Sequence, residues 1–404
     1  MKTIKIKPDK YYIIHAGQVW EGAGSSGLLQ NCTVTIKKGR IEQVSTGGLK
    51  TEINDAQHDA QVIRLPEITL MPGLIDCHVH LAFDSQNLLK TIEEWTTNPA
   101  ATRSRIKQWM QDSLSSGLVA LRDGGDLYGF SLQTREAQKT GQLEGPKILS
   151  PGTALYKKGR YGHFLGPGVE TLADAKDQIA ALAEQKVDHI KIVVSGLVSF
   201  KEYGLVGKTQ FTAEELRAIV DTAHRYGLPV MAHASSDEAV STAISAGVDS
   251  VEHGYFVKDD TLKQMAESQT AWLPTVAPLG NLLTAGHIPY PGANLDVIRR
   301  SYEGQLEAIN KAVNYGVLLG IGTDAGANQV YHGKSYLDEL KYYQKAGLSN
   351  EEILFAATSA SAKIVGMHEA GHLKPGKLPL FIGVRGNPLQ NLNQLKNIEF
   401  IAYI

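Results

Sequence analysis

The sequence predicts an α/β protein: a (β/α)8 barrel of the TIM type with a small β-sandwich domain assembled from the N- and C-terminal segments. Three observations predict it. Between residues 68 and 368, eight short apolar runs alternate with helical stretches, which is the pattern of βα units around a parallel sheet. Outside those limits, at 1–67 and 369–404, the texture changes to short extended runs and turns. Finally, the polar residues that interrupt the apolar runs sit near their carboxyl ends, where side chains of such a barrel converge.

The N-terminal part of the small domain, 1–67, reads YYIIHAGQVW, then CTVTIKKGRIEQVS, then QVIRLP. Alternation over 33–36 followed by Lys38-Gly39 predicts a hairpin. The barrel strands are expected at 70–76, 118–122, 147–150, 190–194, 229–232, 250–252, 272–276 and 317–322. Helices are expected at 172–185, at 213–226 with Thr212 as N-cap, and at 236–246 ending at Gly247. An open doubly wound sheet is the structural alternative; it is disfavoured because no glycine-rich phosphate turn follows the first strand. HLKPGKLPLFIGVRG and NIEFIAYI supply the C-terminal part, 369–404.

A chain of 404 residues with 43% hydrophobic content buries a large core, and a net charge of −2 provides no basic field for nucleic acid or an anionic membrane. Two cysteines, Cys32 and Cys77, are too few for a disulfide framework. Residues 1–10 lack the apolar segment of a secretion signal, and no apolar run is long enough for a membrane helix. The expectation is a cytoplasmic enzyme acting on a small molecule, with no nucleic-acid or membrane partner, that forms a homo-oligomer.

The stretch TLMPGLIDCHVHLAFD, residues 69–84, carries the most specific chemistry. Residues two apart in a strand share a face, so His78 and His80 aim at one point, an arrangement suited to a borderline cation such as zinc. Lys191 lies in DHIKIVVSG, an otherwise apolar strand where an inward ammonium needs a partner. His233 ends PVMAH, His253 stands in SVEHG, and Asp324 ends VLLGIGTD. The competing readings are ordinary ones: an ammonium that reaches solvent or pairs with a carboxylate for Lys191, and a helix cap or turn-forming carboxylate for Asp324.

In order along nearly the whole chain, GRIEQV, PGLIDCHVHL, the lysine of the fourth strand, the two single-histidine strands, GTDAG and LKPGK resemble the amidohydrolase superfamily, in particular its imidazolonepropionase-like and prolidase-like branch. The resemblance implies two divalent metal ions, zinc being expected. His78, His80 and Asp324 would hold the first, His233 and His253 the second, and a carbamylated Lys191 would bridge them. It implies hydrolysis of an amide-type C–N bond, in an N-acyl amino acid or dipeptide, by a metal-bridging hydroxide with Asp324 as general base and acid. His163, in the loop KKGRYGHFLG, matches the position of a histidine near the substrate carbonyl, where it would act in catalysis by stabilising the oxyanion. Alternatives are a deaminase or cyclic-amide hydrolase on the same fold, and a metal-free scaffold.

The same loop offers Lys157, Lys158, Arg160 and Tyr161 for a substrate carboxylate, with Tyr255 after His253 and His332 in QVYHGKS as further contacts. His15, His58, His189, His224, His287, His368 and His372 fall away from the strand ends and are assigned no chemistry. The chain departs from the family pattern at Leu378, Pro379 and Leu380, which bears on the packing of the C-terminal strand.

Overall fold

The computed structural model describes residues 1–22, 27–47, 60–285 and 290–404. The chain divides into two compact units: Met1–Ile75 with Ser113–Val119 and Leu348–Ile404, and Asp76–Asp112 with Ala120–Gly347. These limits differ from the sequence boundaries at 67/68 and 368/369.

The first unit is built on β1 (Lys2–Lys5), β2 (Tyr11–Trp20), β3 (Leu28–Lys37), β4 (Arg40–Thr46) and β5 (Ala60–Pro72), joined later by two strands from the end of the chain. The predicted hairpin is β3–β4: Lys37 pairs with Arg40, and Lys38 and Gly39 take the positive φ values that a two-residue turn requires. Rather than two facing sheets, the strands form one hydrogen-bonded sheet of seven, because the 13-residue β5 pairs with β2 on one side and with 381–385 on the other. Register with β2 shifts at Gly17, where a Cβ would lie 2.1 Å from the Pro66 carbonyl oxygen, so only glycine lets the two chains approach there. Ile14, Val34, Ile36, Leu70, Phe381 and Phe400 are fully buried in its core.

The second unit carries the carboxyl ends of the strands that position the site. β6 (Leu74–Val79), β7 (Leu118–Asp123) and β8 (Lys147–Leu149) make one three-stranded sheet, and β9 (Ile190–Val193), β10 (Val230–Ala234), β11 (Ser250–His253) and β12 (Ala271–Leu273) a four-stranded parallel one. The predicted first strand, 70–76, is split: Gly73 separates the end of β5 from β6, which carries on as far as Val79. The predicted eighth strand, 317–322, forms no ladder. It makes a parallel bridge from Leu319 to Trp272, and Cys77 N donates to Ile321 O at 2.8 Å. Gly320 and Gly322 interrupt it, and Gly322 lies so close to His78 that a Cβ there would be 2.8 Å from the histidine Cβ.

Helices between these strands follow the sequence signals. Leu172–Glu184 and Ala213–Arg225 both begin with capping boxes, from Thr171 and Thr212, and Asp237–Ala246 ends on a left-handed Gly247. The last two strands of the first unit are β13 (Phe381–Arg385) and β14 (Ile398–Tyr403). The departure at 378–380 leaves β13 intact, with Leu380 buried just before it. Among the described residues no helix is long and apolar enough to cross a membrane.

Candidate metal centre

Strand ends of the second unit deliver one cluster. β6 carries His78 and is followed by His80; β9 carries Lys191, β10 His233 and β11 His253, while Asp324 follows the interrupted run 317–322. His78, Lys191, His233 and His253 are all at most 7% exposed, and His80 is 8% exposed. Imidazole centroids stand 5.4 Å apart for His78 and His80, 5.1 Å for His78 and His253, and 4.4 Å for His233 and His253. Asp324 Oδ1 is 3.5 Å from Nε2 of both His78 and His80, and these three residues offer ligand atoms within 4.8 Å of one another.

The imidazoles are anchored by one ring nitrogen and present the other. His80 Nδ1 faces the Gly125 carbonyl at 3.3 Å and His78 Nδ1 the Glu252 carboxylate at 2.8 Å. Both acceptors lack a proton to give, so Nδ1 carries the hydrogen and Nε2 is left with its lone pair. His253 Nδ1 lies 2.7 Å from Thr275 Oγ1, whose own hydrogen goes to the Pro274 carbonyl at 2.8 Å, and the same tautomer follows. His78 Nε2, His233 Nε2 and Lys191 Nζ are buried with no hydrogen-bond partner among the described residues. Lone pairs and an amine sealed from water without partners are costly in a closed fold, and they are what a soft or borderline cation requires.

Electrostatics point the same way. Burial lowers His80 and His233 to about 3 and His78 and His253 well below the ordinary imidazole value, keeping all four neutral and able to ligate. Burial lowers Lys191 too, against the pull of Glu252 and Asp324, and raises Asp324, against the pull of Lys191. The Lys191 ammonium therefore neither reaches solvent nor finds a hydrogen-bonded partner, which removes the snorkelling alternative.

Backbone strain accompanies the cluster: His253, Thr275 and Asp324 have φ of 73°, 49° and 60° without being glycine. Asp76 supports the Asp324 turn, accepting from Thr323 Oγ1 at 2.6 Å and Thr323 N at 3.0 Å.

The remaining sequence candidates are dispersed. Tyr161 packs its ring 5.7 Å from that of His233, and its hydroxyl is raised first by burial and then by the charge of Asp324. Tyr255 stacks on His253 but donates to the Thr275 carbonyl at 3.2 Å. His163 is exposed, with its ring against Phe164, and Arg160 is exposed. His332 is buried, stacked on Trp109 with Nε2 3.2 Å from the Phe83 carbonyl. The lysines of the loop are committed elsewhere, Lys157 to Glu215 at 3.0 Å and Lys158 to Glu170 at 2.6 Å. His58 and His287 lie outside the described residues.

Glu252, Arg122 and Thr275 escaped the sequence reading. The criterion that selected Lys191, a charged residue inside an apolar strand, selects Arg122 in LVALRD and Glu252 in SVEH equally well.

The model of the amidohydrolase family matches residues 69–402. The chain is 24% identical to ochratoxinase of Aspergillus niger, over 98% of this chain and 85% of that protein. It is 26% identical to imidazolonepropionase of Paracoccus denitrificans, over 88% of each. Its fold matches the crystal structure of a Xaa-Pro dipeptidase with methionine bound in the active site, with a TM-score of 0.83 and 25% identity over 96% of this chain and 97% of that one.

Proposed function

Since this chain belongs to the amidohydrolase family, we propose that it is a metal-dependent hydrolase of amide-type C–N bonds working in a (β/α)8 barrel. The observation that carries the reading is the set of buried, partnerless donor atoms, His78 Nε2, His233 Nε2 and Lys191 Nζ, beside the His78, His80 and Asp324 group. His78, His80 and Asp324 would hold one divalent ion, His233 and His253 a second, and Lys191 as its carbamate would serve both. Zinc suits this donor set best. When bound, the ions supply Lewis acidity, acidifying water and polarising the scissile carbonyl.

The residues do the rest. Burial lowers Lys191 and so favours the free amine, the form that combines with carbon dioxide. Asp324, raised by burial, is suited to take a proton from the attacking water and return it to the leaving nitrogen. Tyr161 stays protonated and can donate to the substrate oxygen. Phe83, stacked on His80 at 4.6 Å and edge-on to Phe164 at 5.5 Å, walls one side against solvent.

A dipeptide or N-acyl amino acid is the substrate class we favour, supported by the dipeptidase likeness. The likeness to imidazolonepropionase supports a cyclic-amide substrate as the second reading. Cys32 and Cys77, both buried and in no disulfide, fit a cytoplasmic enzyme.

Elemental analysis of protein produced with zinc and bicarbonate tests the proposal, for wild type and Lys191→Ala, followed by hydrolysis assays on dipeptides, N-acyl amino acids, cyclic amides and lactones. About two metals per chain, fewer in the variant, and amide cleavage are expected. A folded wild type without metal, or turnover of lactones alone, overturns it.

A further inference from the structure

Behind His78, the Glu252 carboxylate belongs to a larger charged unit that includes Arg122 and Ser250. Glu252 is fully buried, Arg122 is 4% exposed and Ser250 1%. Glu252 Oε2 sits 2.8 Å from His78 Nδ1, while its Oε1 accepts from Arg122 Nη2 at 2.9 Å and from Ser250 Oγ at 2.7 Å. Arg122 Nη1 donates to Ser250 Oγ at 3.0 Å, and Arg122 Nε donates to the carbonyl of Cys77 at 2.7 Å. The unit thus holds His78 twice, by its ring and by the peptide that precedes it.

Other histidines of the cluster lean on neutral acceptors, a carbonyl for His80 and a hydroxyl for His253. His78 leans on a carboxylate that is itself clamped by a guanidinium. That choice has no evident benefit for stability alone, because a buried ion pair replaced as a whole by apolar residues usually leaves a protein as stable or more so. It does have a benefit for an imidazole that must present one nitrogen: an anionic acceptor at Nδ1 excludes the tautomer with hydrogen on Nε2 and makes Nε2 a stronger donor.

Building on the metal-centre reading above, we infer that Glu252 and Arg122 are a positioning pair for His78. Glu252 fixes the hydrogen on Nδ1, and Arg122 fixes Glu252 and the backbone at Cys77. Nε2 then faces the cluster in one orientation before any ligand arrives.

Two double variants separate this role from a structural one. Arg122→Met with Glu252→Leu removes both charges and the acceptor; Arg122→Met with Glu252→Gln removes both charges but keeps an oxygen that can accept from Nδ1. The readouts are the ¹⁵N imidazole spectrum of the metal-free protein, with the His78 signals assigned through His78→Asn, the zinc affinity by chelator competition, and the melting temperature. Wild type and the glutamine pair should show the Nδ1-protonated tautomer at His78, whereas the leucine pair shows both. Zinc affinity should fall about 10- to 100-fold in the leucine pair and largely recover in the glutamine pair.

If the leucine pair keeps a single His78 tautomer and wild-type zinc affinity, the pair is structural and the inference is wrong. If the leucine pair does not fold, Glu252→Asp retains the charge and withdraws the oxygen from Nδ1, and the same two readouts decide. A wild type that binds no zinc removes the metal reading, and the tautomer spectrum of the metal-free protein still decides for or against Glu252.

Discussion

Asp324 and His78 meet twice: the amide of Asp324 donates to the His78 carbonyl at 2.8 Å, and the Asp324 carboxylate stands 3.5 Å from His78 Nε2. The backbone bond holds the carboxylate in place whatever its charge, so Asp324→Asn should keep the local geometry and lose the proton acceptor. We expect kcat to fall by about 10²- to 10⁴-fold with an unchanged melting temperature. Steady-state kinetics, with metal content measured on the same sample, check this; activity within tenfold of wild type at full metal loading would assign the proton transfer elsewhere.

Gly124 lies against His80. A methyl at this position would fall 2.4 Å from His80 Cε1 and 2.8 Å from Nε2, and the ring is also held in a stack on Phe83 at 4.6 Å. Gly124→Ala should cost on the order of 100-fold in kcat/KM, as expected for displacing a reacting group by about 1 Å. Far-ultraviolet circular dichroism and kinetics together distinguish this from misfolding.

Tyr161 and His163 are two residues apart yet differ in what they face. Tyr161→Phe, which removes a hydroxyl near Asp324, should lower kcat by roughly 10- to 100-fold with little change in stability. His163→Ala should stay within about twofold, since the exposed imidazole rests on Phe164 alone among the described rings. The reverse order of effects would restore the oxyanion role to His163.

His332 gives a pH test. Burial lowers it to about 4, whereas an unfolded histidine titrates near 6.5. Between those values the unfolded chain binds the extra proton, so the stability His332 contributes is complete above pH 6.5 and is lost as pH falls toward 4. The difference is on the order of 3 kcal/mol. His332→Phe, which keeps the stack on Trp109, should therefore lose less stability than wild type over that interval. Urea unfolding at pH 7 and pH 4.5 measures it, and parallel pH profiles would refute it.

Much of this was legible in the sequence because periodicity and strand ends are local properties. Thr212 and Gly247 sit at the helix ends where their chemistry places them, and His78, His80 and Asp324 come together with the rings of His253 and His233 beside them. The family is also shown by the match over 69–402. Loop orientation is not local: whether Tyr161 or His163 turns inward depends on Gly162, held at φ 127° with no room beside Tyr156 for a side chain. Residues 317–322 read as a strand by hydrophobicity, but glycines placed for close approach to His78 break its ladder. Arg122 and Glu252 stayed hidden because each looks like an isolated charge until the fold makes them neighbours.

In the first unit, Lys2 to Lys5 pair in parallel with Phe400 to Tyr403, and β5 finds its second neighbour only at 381–385. Vectorial synthesis therefore delivers β2, β3 and β4 to the ribosome exit some 300 residues before the strands that complete their sheet. At roughly 5–20 residues per second, the open edge of β5 waits for tens of seconds. Nascent chains stalled short of residue 381 are where chaperone dependence and aggregation of this protein should concentrate.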